Sequence, residues 1–158
     1  MTKHVPHRNP WLVLAGFFAM VAVVAVVGAL AATSAKTVYA RLELPAWAPA
    51  GWVFGPVWTV LYVTIAVAGW LYWRTDGENA GFAAYGIALL FTMLWTPLFF
   101  AGGSARAALV DIVALDVVVI VTIALFARRS RIAAALLLPC LGWLWFATAL
   151  NAAVVTLN

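Results

Sequence analysis

The feature that most constrains this chain is a series of uninterrupted apolar runs, each long enough to cross a bilayer. A helix rising about 1.5 Å per residue needs roughly 20 apolar residues to span about 30 Å of hydrocarbon. Of the 158 residues, 67% are hydrophobic and 9% are charged, which is more apolar surface than a soluble domain of this size can bury. The runs predict five transmembrane segments, at about residues 11–32, 53–73, 80–101, 107–127 and 132–156.

The apolar runs indicate helices rather than a β-barrel. Only helices and closed barrels satisfy backbone hydrogen bonds in lipid. Continuous stretches such as residues 21–27 and 117–121 lack the alternation of a lipid-facing strand. We therefore predict an all-α fold, in which residues 1–158 form one integral membrane bundle of five transmembrane helices. Its only long connection is residues 33–52, and a loop of that length in a small bundle is usually functional.

The basic residues indicate how the bundle is oriented. The net charge is +4, but the Lys and Arg side chains lie almost entirely between the apolar runs, so we expect no nucleic-acid partner. Six of the nine belong to one side of the predicted topology: Lys3, Arg8, Arg74, Arg128, Arg129 and Arg131. The positive-inside rule places that side, with the N-terminus, in the cytoplasm. It favours a bacterial inner membrane, with the outer membrane as the alternative.

The scarcity of reactive side chains disfavours several kinds of site. Cys140 is the only cysteine, so neither a disulfide framework nor a multi-cysteine metal site is available. The only histidines, His4 and His7, lie in the N-terminal tail, and no serine–histidine or metal-binding constellation occurs within the spans. We expect no metal, no required cofactor and no ordinary acid–base chemistry.

Aromatic residues concentrate where the second span begins. Residues 47–62, WAPAGWVFGPVWTVLY, carry three tryptophans, two prolines and a tyrosine. An interfacial belt accounts for tryptophans near span ends, such as Trp47 and Trp70. Trp58 and Trp95 lie deeper, each within two residues of a threonine and a proline. Proline removes a backbone donor there and can open local space for a ligand.

Four segments in order resemble the translocator protein family, also called tryptophan-rich sensory proteins or peripheral benzodiazepine receptors. The segments are residues 38–49 (VYARLELPAWAP), 52–62 (WVFGPVWTVLY), 94–100 (LWTPLFF) and 139–151 (PCLGWLWFATALN). Each segment is weak evidence alone. Their order on a five-span chain identifies the protein as a member, and the resemblance covers nearly the whole sequence.

The resemblance implies a pocket surrounded by the helices and closed on one side by the long loop, commonly in a homodimer. Family members bind porphyrins such as protoporphyrin IX, and many bind cholesterol or synthetic isoquinoline and benzodiazepine ligands. Stacked aromatic faces suit a planar macrocycle, with a basic group near the mouth for its propionates. By motif position the implied ligand-binding residues are Tyr39, Trp47, Trp52, Trp58, Tyr62, Ala88, Thr92, Trp95, Pro97, Trp143, Phe146 and Ala147.

We accordingly expect a membrane receptor or sensor-like protein that binds a porphyrin, or another hydrophobic molecule, as a ligand. Two alternatives stay open. One is a transporter of tetrapyrroles or sterols, for which five spans without an inverted repeat offer little support. The other is a light-dependent porphyrin-degrading enzyme, in which Trp58 and Trp143 would act on the ligand.

Several positions depart from the family pattern. The family's loop tryptophan, basic residue, second loop proline, pocket glutamine, pocket asparagine and helix-5 tyrosine are replaced, in that order, by Val38, Leu44, Ala50, Ala88, Thr92 and Cys140. An apolar cavity still binds apolar molecules, but fewer directional hydrogen bonds lower its selectivity. The sequence therefore favours ligand binding over porphyrin specificity.

Two carboxylates lie within the fourth span. Asp111 is near Arg106, and we interpret it as an interfacial or helix-start carboxylate stabilised by the helix dipole. Asp116 is near mid-span, where an unpaired charge costs several kcal/mol. We predict that it hydrogen-bonds to a Trp, Tyr or Thr on a neighbouring helix, with proton coupling as the alternative. At about 100° per residue the two side chains point about 140° apart, so one pocket is not expected to use both.

Small residues at four-residue spacing mark the start of the third span: Gly77, Ala80, Gly81, Ala84 and Ala88. They allow a close helix contact, which is either the dimer interface that the family resemblance implies or packing within the monomer. On the fifth span, Asn151 is predicted to bond across helices.

Overall fold

The computed structural model describes residues 9–158, and it confirms the five-helix prediction. The tail residues discussed above, Lys3, His4, His7 and Arg8, lie outside the described residues. No strand occurs among residues 9–158. The helices are α1 (Pro10–Ala31), α2 (Ala35–Tyr39), α3 (Phe54–Trp73), α4 (Asn79–Thr96), α5 (Ala105–Ala127), α6 (Arg131–Ala135) and α7 (Leu138–Leu157).

Short irregular helical turns join these helices into five apolar spans. The turns are 3₁₀ turns at Ala32–Ser34 and Gly51–Val53 and a π-helical turn at Pro97–Ala101. The resulting spans are Pro10–Tyr39, Gly51–Trp73, Asn79–Ala101, Ala105–Ala127 and Arg131–Leu157. The structure is thus that of an integral, multi-pass membrane protein.

Two boundaries differ from those predicted. Residues 33–39, predicted as loop, continue the first span as helical structure, so the irregular connection is residues 40–50. The predicted fifth span is two helices, because the chain turns at residues 136 and 137 between α6 and α7. Pro139 has no N–H to extend the ladder of α6, whereas its fixed φ suits the first turn of a new helix.

Polar side chains set three of the helix starts. Asn9 Oδ1 accepts from the Trp11 N–H at 3.0 Å, and Pro10 follows it at the first helical position. Ser104 Oγ accepts from the Ala107 N–H at 3.2 Å, and Ser130 Oγ accepts from the Ala133 N–H at 3.1 Å. Each cap satisfies a backbone donor that has no partner within the helix.

The bundle has two distinct ends. One, the arginine end, carries Arg74, Arg128, Arg129 and Arg131, and there Arg129 forms an ion pair with Glu78 at 2.8 Å. The other, the loop end, carries residues 40–50, the ends of α4 and α7, and the start of α5. Helix α5 packs mainly against α4, α7 and α6, while α1 packs against α3 and α4.

Four small residues at or just before the start of α4 face the inside of the monomer. A Cβ atom added at Gly77 or Gly81 would meet the ring of Tyr72, which is 1% exposed and stacks on Phe126 with centroids 4.0 Å apart. Ala84 and Ala88 are also buried. Packing within the monomer, one of the two roles predicted for this stripe, is therefore present at these four positions, while Ala80 is exposed.

Candidate ligand cavity

A partly enclosed cavity of about 20 Å³ lies among α3, α4, α5 and α7, toward the loop end. Its lining consists of Phe54, Trp58, Thr92, Trp95, Ile112, Leu115, Trp143, Leu144 and Ala147. A space of this size holds about one water molecule. Ligand pockets for larger molecules measure about 300–1,000 Å³, so the described conformation is closed.

A continuous chain of aromatic rings links the loop to the lining of the cavity. It runs from Tyr39 to Phe54 (6.0 Å between centroids) and on to Trp143 (5.7 Å). From Trp143 it continues to Phe146 (5.3 Å) and returns to the loop at Trp47 (5.8 Å). The contacts are mostly edge-to-face, an arrangement that aromatic quadrupoles favour. Contacts between aromatic rings, rather than ion pairs, therefore hold the loop against the helices.

Helical spacing explains how α3 and α7 present these rings. Phe54, Trp58 and Tyr62 recur at intervals of four residues and share one face of α3, and the rings of Trp58 and Tyr62 are 5.2 Å apart. On α7, Trp143 and Ala147 are likewise one turn apart. These positions bring indole rings from α3 and α7 to the same cavity.

Trp143 is the lining residue whose hydrogen-bonding capacity is left unused. Its Nε1 atom is buried and has no acceptor among the described residues. By contrast, Trp95 Nε1 donates to Asn151 Oδ1 at 3.2 Å, and Thr92 Oγ1 donates to the Ala88 carbonyl at 2.8 Å. The lining thus contains one buried donor, the Trp143 Nε1–H, that has no acceptor within residues 9–158, in otherwise apolar and aromatic surroundings.

Asn151 makes the interhelical bonds predicted for it. Besides accepting from Trp95 on α4, its Nδ2 atom donates to the carbonyl of Ala105 on α5 at 2.8 Å. The side chain is fully buried, and it ties α4, α5 and α7 together beside the cavity. This holds the Trp95 ring in position against the lining.

The two intramembrane carboxylates differ from each other. Thr148 Oγ1 donates to Asp116 Oδ2 at 2.8 Å, which confirms the predicted bond to a neighbouring helix, while Asp116 Oδ1 is buried and unpaired among the described residues. Asp111 is only 6% exposed, and its Oδ2 atom is also unpaired within that part of the chain. The helix-start part of our interpretation of Asp111 was wrong, because Ser104 caps α5 and the first turn of this helix contains no acidic residue.

The structure divides the sequence-predicted site residues into three groups. Those that line the cavity are Trp58, Thr92, Trp95, Trp143 and Ala147. Those whose rings pack beside it or over it are Tyr39, Trp47, Tyr62 and Phe146. Those located elsewhere are Trp52, which is 76% exposed, Ala88, which packs in the core, and Pro97, which begins the π-helical turn.

Four lining residues were absent from the sequence-based set: Phe54, Ile112, Leu115 and Leu144. Phe54 carried a usable signal, because it lies within a family-like segment one helical turn before Trp58. The other three are ordinary aliphatic residues on long apolar helices. Nothing in their local sequence distinguishes them from neighbours that face lipid.

The loop of residues 40–50 is held at both of its ends. Tyr39 OH donates to the Pro49 carbonyl at 3.1 Å. Near the other end of the loop, the Glu43 N–H donates to Asn158 Oδ1 at 2.9 Å, and Asn158 Nδ2 donates to the Glu43 carbonyl at 3.0 Å. A few hydrogen bonds and ring contacts therefore close the cavity.

One departure from the family pattern has a local explanation. Leu44 stands where the family usually has a basic residue, and it packs with Leu42 against Phe99, Ala108 and Val154. A charged side chain at this position would lose its hydration on packing against these residues. No acidic side chain in this cluster would compensate for that loss. The loop is thus fastened to the bundle by apolar contact.

Comparison with known proteins agrees with this architecture. Residues 17–157 match the TspO/MBR family. The chain is 42% identical over 129 residues to the tryptophan-rich protein TspO of Archaeoglobus fulgidus, covering 80% of this chain and 84% of that protein. It is 35% identical over 118 residues to the human translocator protein, covering 72% and 70%. It is 33% identical over 120 residues to the tryptophan-rich sensory protein of Cereibacter sphaeroides, covering 76% of each.

The family match spans most of the chain and includes every helix that lines the cavity. The order of the helices, the loop beside the cavity and the indole rings that α3 and α7 each contribute to its lining accompany that match. This protein is therefore a member of the TspO/MBR family, with the membrane-embedded, receptor-like architecture that membership supports.

Proposed function

We propose that the protein binds a flat hydrophobic ligand, a porphyrin such as protoporphyrin IX, between α3, α4, α5 and α7. The observation that carries the proposal is the unpaired Nε1–H of Trp143 at a cavity lined by Phe54, Trp58 and Trp95. Leaving a buried donor unpaired costs about 1–3 kcal/mol, which an acceptor on the ligand would recover. The surrounding rings supply apolar faces on which a planar molecule stacks.

Binding requires the cavity to enlarge. The space of about 20 Å³ is far below the several hundred Å³ of a typical ligand pocket. The parts best placed to move are the loop of residues 40–50 and the rings of Trp47 and Phe146, since loops are generally more mobile than the helices they join. Lys36 and Arg41 are exposed at this end, where they would pair with the propionates of a porphyrin.

A titration of protoporphyrin IX, followed by the shift of its Soret absorption band, tests the site. Trp143→Phe replaces the indole with a smaller phenyl ring, which stays aromatic but has no N–H, so we expect the Kd to rise about fivefold, the equivalent of about 1 kcal/mol. Trp145→Phe is the matched control, because Trp145 is two residues away on α7 and 57% exposed. Trp58→Phe and Trp52→Phe make the same comparison for the second span, where Trp58 lines the cavity and Trp52 does not.

Equal affinities in Trp143→Phe, Trp58→Phe and the wild type would show that the ligand binds elsewhere. Competition by a sterol or an isoquinoline then measures how selective the cavity is. Because Trp58 and Trp143 both line it, photo-oxidation of a bound porphyrin is the second candidate function. Illumination under oxygen decides between the two: a stable Soret band supports a binding protein, and bleaching that requires Trp58 and Trp143 supports degradation. Flux into sealed liposomes tests transport.

A homodimer through α4, as the family resemblance implies, would have to use the outer face of this helix. Gly81, Ala84 and Ala88 pack within the monomer. The outer face carries Ala83, Gly86, Ile87, Leu90 and Leu94. We propose this face as the contact, and Gly86→Trp is expected to shift the detergent-solubilised protein from dimer to monomer in light-scattering mass measurements.

A further inference from the structure

Phe99 lies in the π-helical turn Pro97–Ala101, directly after the part of α4 that lines the cavity. Pro97 has no N–H with which to continue the hydrogen-bond ladder of α4, and its carbonyl accepts from the Gly102 N–H at 2.7 Å across the wider turn. π-helical turns of this kind frequently occur at functional sites. The backbone that carries Phe99 is therefore bonded differently from the regular helix that carries Trp95.

The π-helical turn brings two aromatic rings onto Trp95. The ring of Phe99 stacks on the indole, with centroids 5.1 Å apart and an interplanar angle of 21°. The ring of Phe100 meets the indole edge-on, with centroids 6.1 Å apart. Trp95 is itself part of the cavity lining. The position of this part of the cavity wall therefore depends on where the rings of Phe99 and Phe100 lie.

The loop of residues 40–50 packs against the group of side chains that contains Phe99. Phe99 is 6% exposed and belongs to a small buried cluster formed by three helical segments. The cluster consists of Phe99, Ala108 and Val154, and the partly buried side chains packed against it include Leu42, Leu44 and Trp95. Two leucines of the loop and one indole of the cavity wall therefore share one apolar cluster.

Close packing makes such a cluster transmit displacements. Protein interiors have few voids and low compressibility, so the departure of one side chain requires its neighbours to move. When the loop lifts, Leu42 and Leu44 leave the cluster, and the Phe99 ring gains space. Trp95 then loses support on its stacked face and tilts about the hydrogen bond that its Nε1 atom donates to Asn151.

We propose that Phe99 is a positioning residue that couples closure of the loop of residues 40–50 to the position of Trp95 in the cavity wall. The loop and the wall then open together. Release of the loop thereby supplies part of the enlargement that ligand binding requires. The proposal rests on the proposed function only in this last step, since the coupling belongs to the protein without ligand.

Fluorine NMR of the protein labelled with fluorotryptophan tests the coupling in the absence of any ligand. Trp95→Phe identifies the Trp95 resonance among those of the nine tryptophans. Asn158→Ala releases the loop, because it removes the bonds to the Glu43 backbone and changes no aromatic ring. This variant should shift and broaden the Trp95 resonance. The resonance of Trp145, which is 57% exposed on α7, should stay unchanged.

Phe99→Leu and Phe99→Ala show whether the effect passes through Phe99. Most of the Trp95 response to Asn158→Ala should be lost in Phe99→Leu and all of it in Phe99→Ala, because the stacked ring is absent. A residue that only fills space would move the Trp95 resonance by itself and leave that response intact. Phe82→Leu is the matched control, because Phe82 is on the same helix but packs on Tyr72 at the arginine end. Should Phe99→Ala fail to fold, Phe99→Leu decides.

Amide hydrogen exchange in residues 40–50 shows in the same samples whether the loop is released. Where Asn158→Ala alone leaves the exchange unchanged, Trp47→Ala is added to remove the ring contact with Phe146 and release the loop. A released loop with an unmoved Trp95 resonance would overturn the proposal. An equal Trp95 response with and without the Phe99 ring would also overturn it, because other side chains would then connect the loop to the wall. Absence of porphyrin binding would contradict the proposed function instead, since these spectra contain no ligand.

Discussion

Polar side chains inside the bundle form hydrogen bonds between the helices that line the cavity. Asn151 both accepts and donates a hydrogen bond through its amide, and the Thr148 hydroxyl donates a hydrogen bond to Asp116. Trp143 differs from Trp95 in this respect, because only the Trp95 indole has a protein acceptor. A polar group that has a protein partner therefore holds helices together. The unpaired Trp143 indole is instead the group to which a ligand would hydrogen-bond.

Replacing Thr148 with Val should lower the stability of the bundle. The change keeps the shape of the side chain and removes the donor to Asp116, which leaves a carboxylate without its partner. Interhelical hydrogen bonds in membranes contribute about 0.6 kcal/mol on average and up to about 1.7 kcal/mol, and we expect a loss in that range. Denaturation in mixed detergent micelles measures it, with Thr156→Val as the control, since Thr156 bonds only to the Ala153 carbonyl on its own helix.

Asp116→Asn should lower the stability of the bundle less than Thr148→Val does, because the amide oxygen still accepts a hydrogen bond from Thr148. If this variant instead loses its folded form in detergent, the carboxylate itself is needed. That outcome would favour proton coupling over a structural bond.

Elements of this bundle fit together through complementary small and large residues. Tyr72 at the end of α3 lies between the ring of Phe126 on α5 and the bare backbone at Gly77 and Gly81. Its hydroxyl accepts from the Glu78 N–H at 2.9 Å, which fixes the connection between α3 and α4. A ring that is confined on all of these sides has no space into which it can move.

Gly81→Ala should therefore destabilise the protein strongly compared with Gly142→Ala. The added methyl at Gly81 meets the Tyr72 hydroxyl, whereas the one at Gly142, an exposed position in α7, meets nothing within 4 Å. Overpacking costs about 1–3 kcal/mol, while an exposed Gly→Ala change in a helix is neutral to stabilising. The difference in melting temperature between the two variants measures this, and equal melting would contradict the packing described for Tyr72.

One side chain, that of Asn158 directly after α7, makes both hydrogen bonds that tie Glu43 in the loop of residues 40–50 to the end of the bundle. Asn158→Ala removes both hydrogen bonds to the Glu43 backbone, at a net value of about 1 kcal/mol each. We expect amide hydrogen exchange in the loop to increase about tenfold or more. Thr156→Ala serves as the control, since Thr156 makes no bond to the loop. Unchanged exchange would mean that the ring contacts alone hold the loop closed.

The two ends of the whole molecule carry different kinds of groups. The arginine end carries the Arg129–Glu78 ion pair and the Arg74–Trp70 contact, and the loop end carries the covered cavity. Positive-inside reasoning assigns the arginine end to the cytoplasm. A ligand would then reach the cavity from the opposite side of the membrane.

Labelling with a membrane-impermeant maleimide tests this orientation in intact cells. In a Cys140→Ala background, Glu43→Cys should be labelled from outside the inner membrane. Asp76→Cys, in the connection after α3, should be labelled only after the membrane is permeabilised. Both side chains are exposed, so the contrast reports topology rather than burial. The reverse pattern would place the loop in the cytoplasm and exclude the proposed orientation.

The five spans and the aromatic walls of the cavity could be predicted from the sequence because both depend on local properties. A run of apolar residues determines whether a segment crosses a bilayer, and helical spacing determines that Phe54, Trp58 and Tyr62 share a face. Only the tertiary structure showed that Ile112, Leu115 and Leu144 line the cavity, that Trp52 is exposed and that Gly81 packs within the monomer. In a soluble protein, polarity would separate the inner face of a helix from the outer one. In a membrane both faces are apolar, so the identity of the neighbouring helix decides which residues are inside.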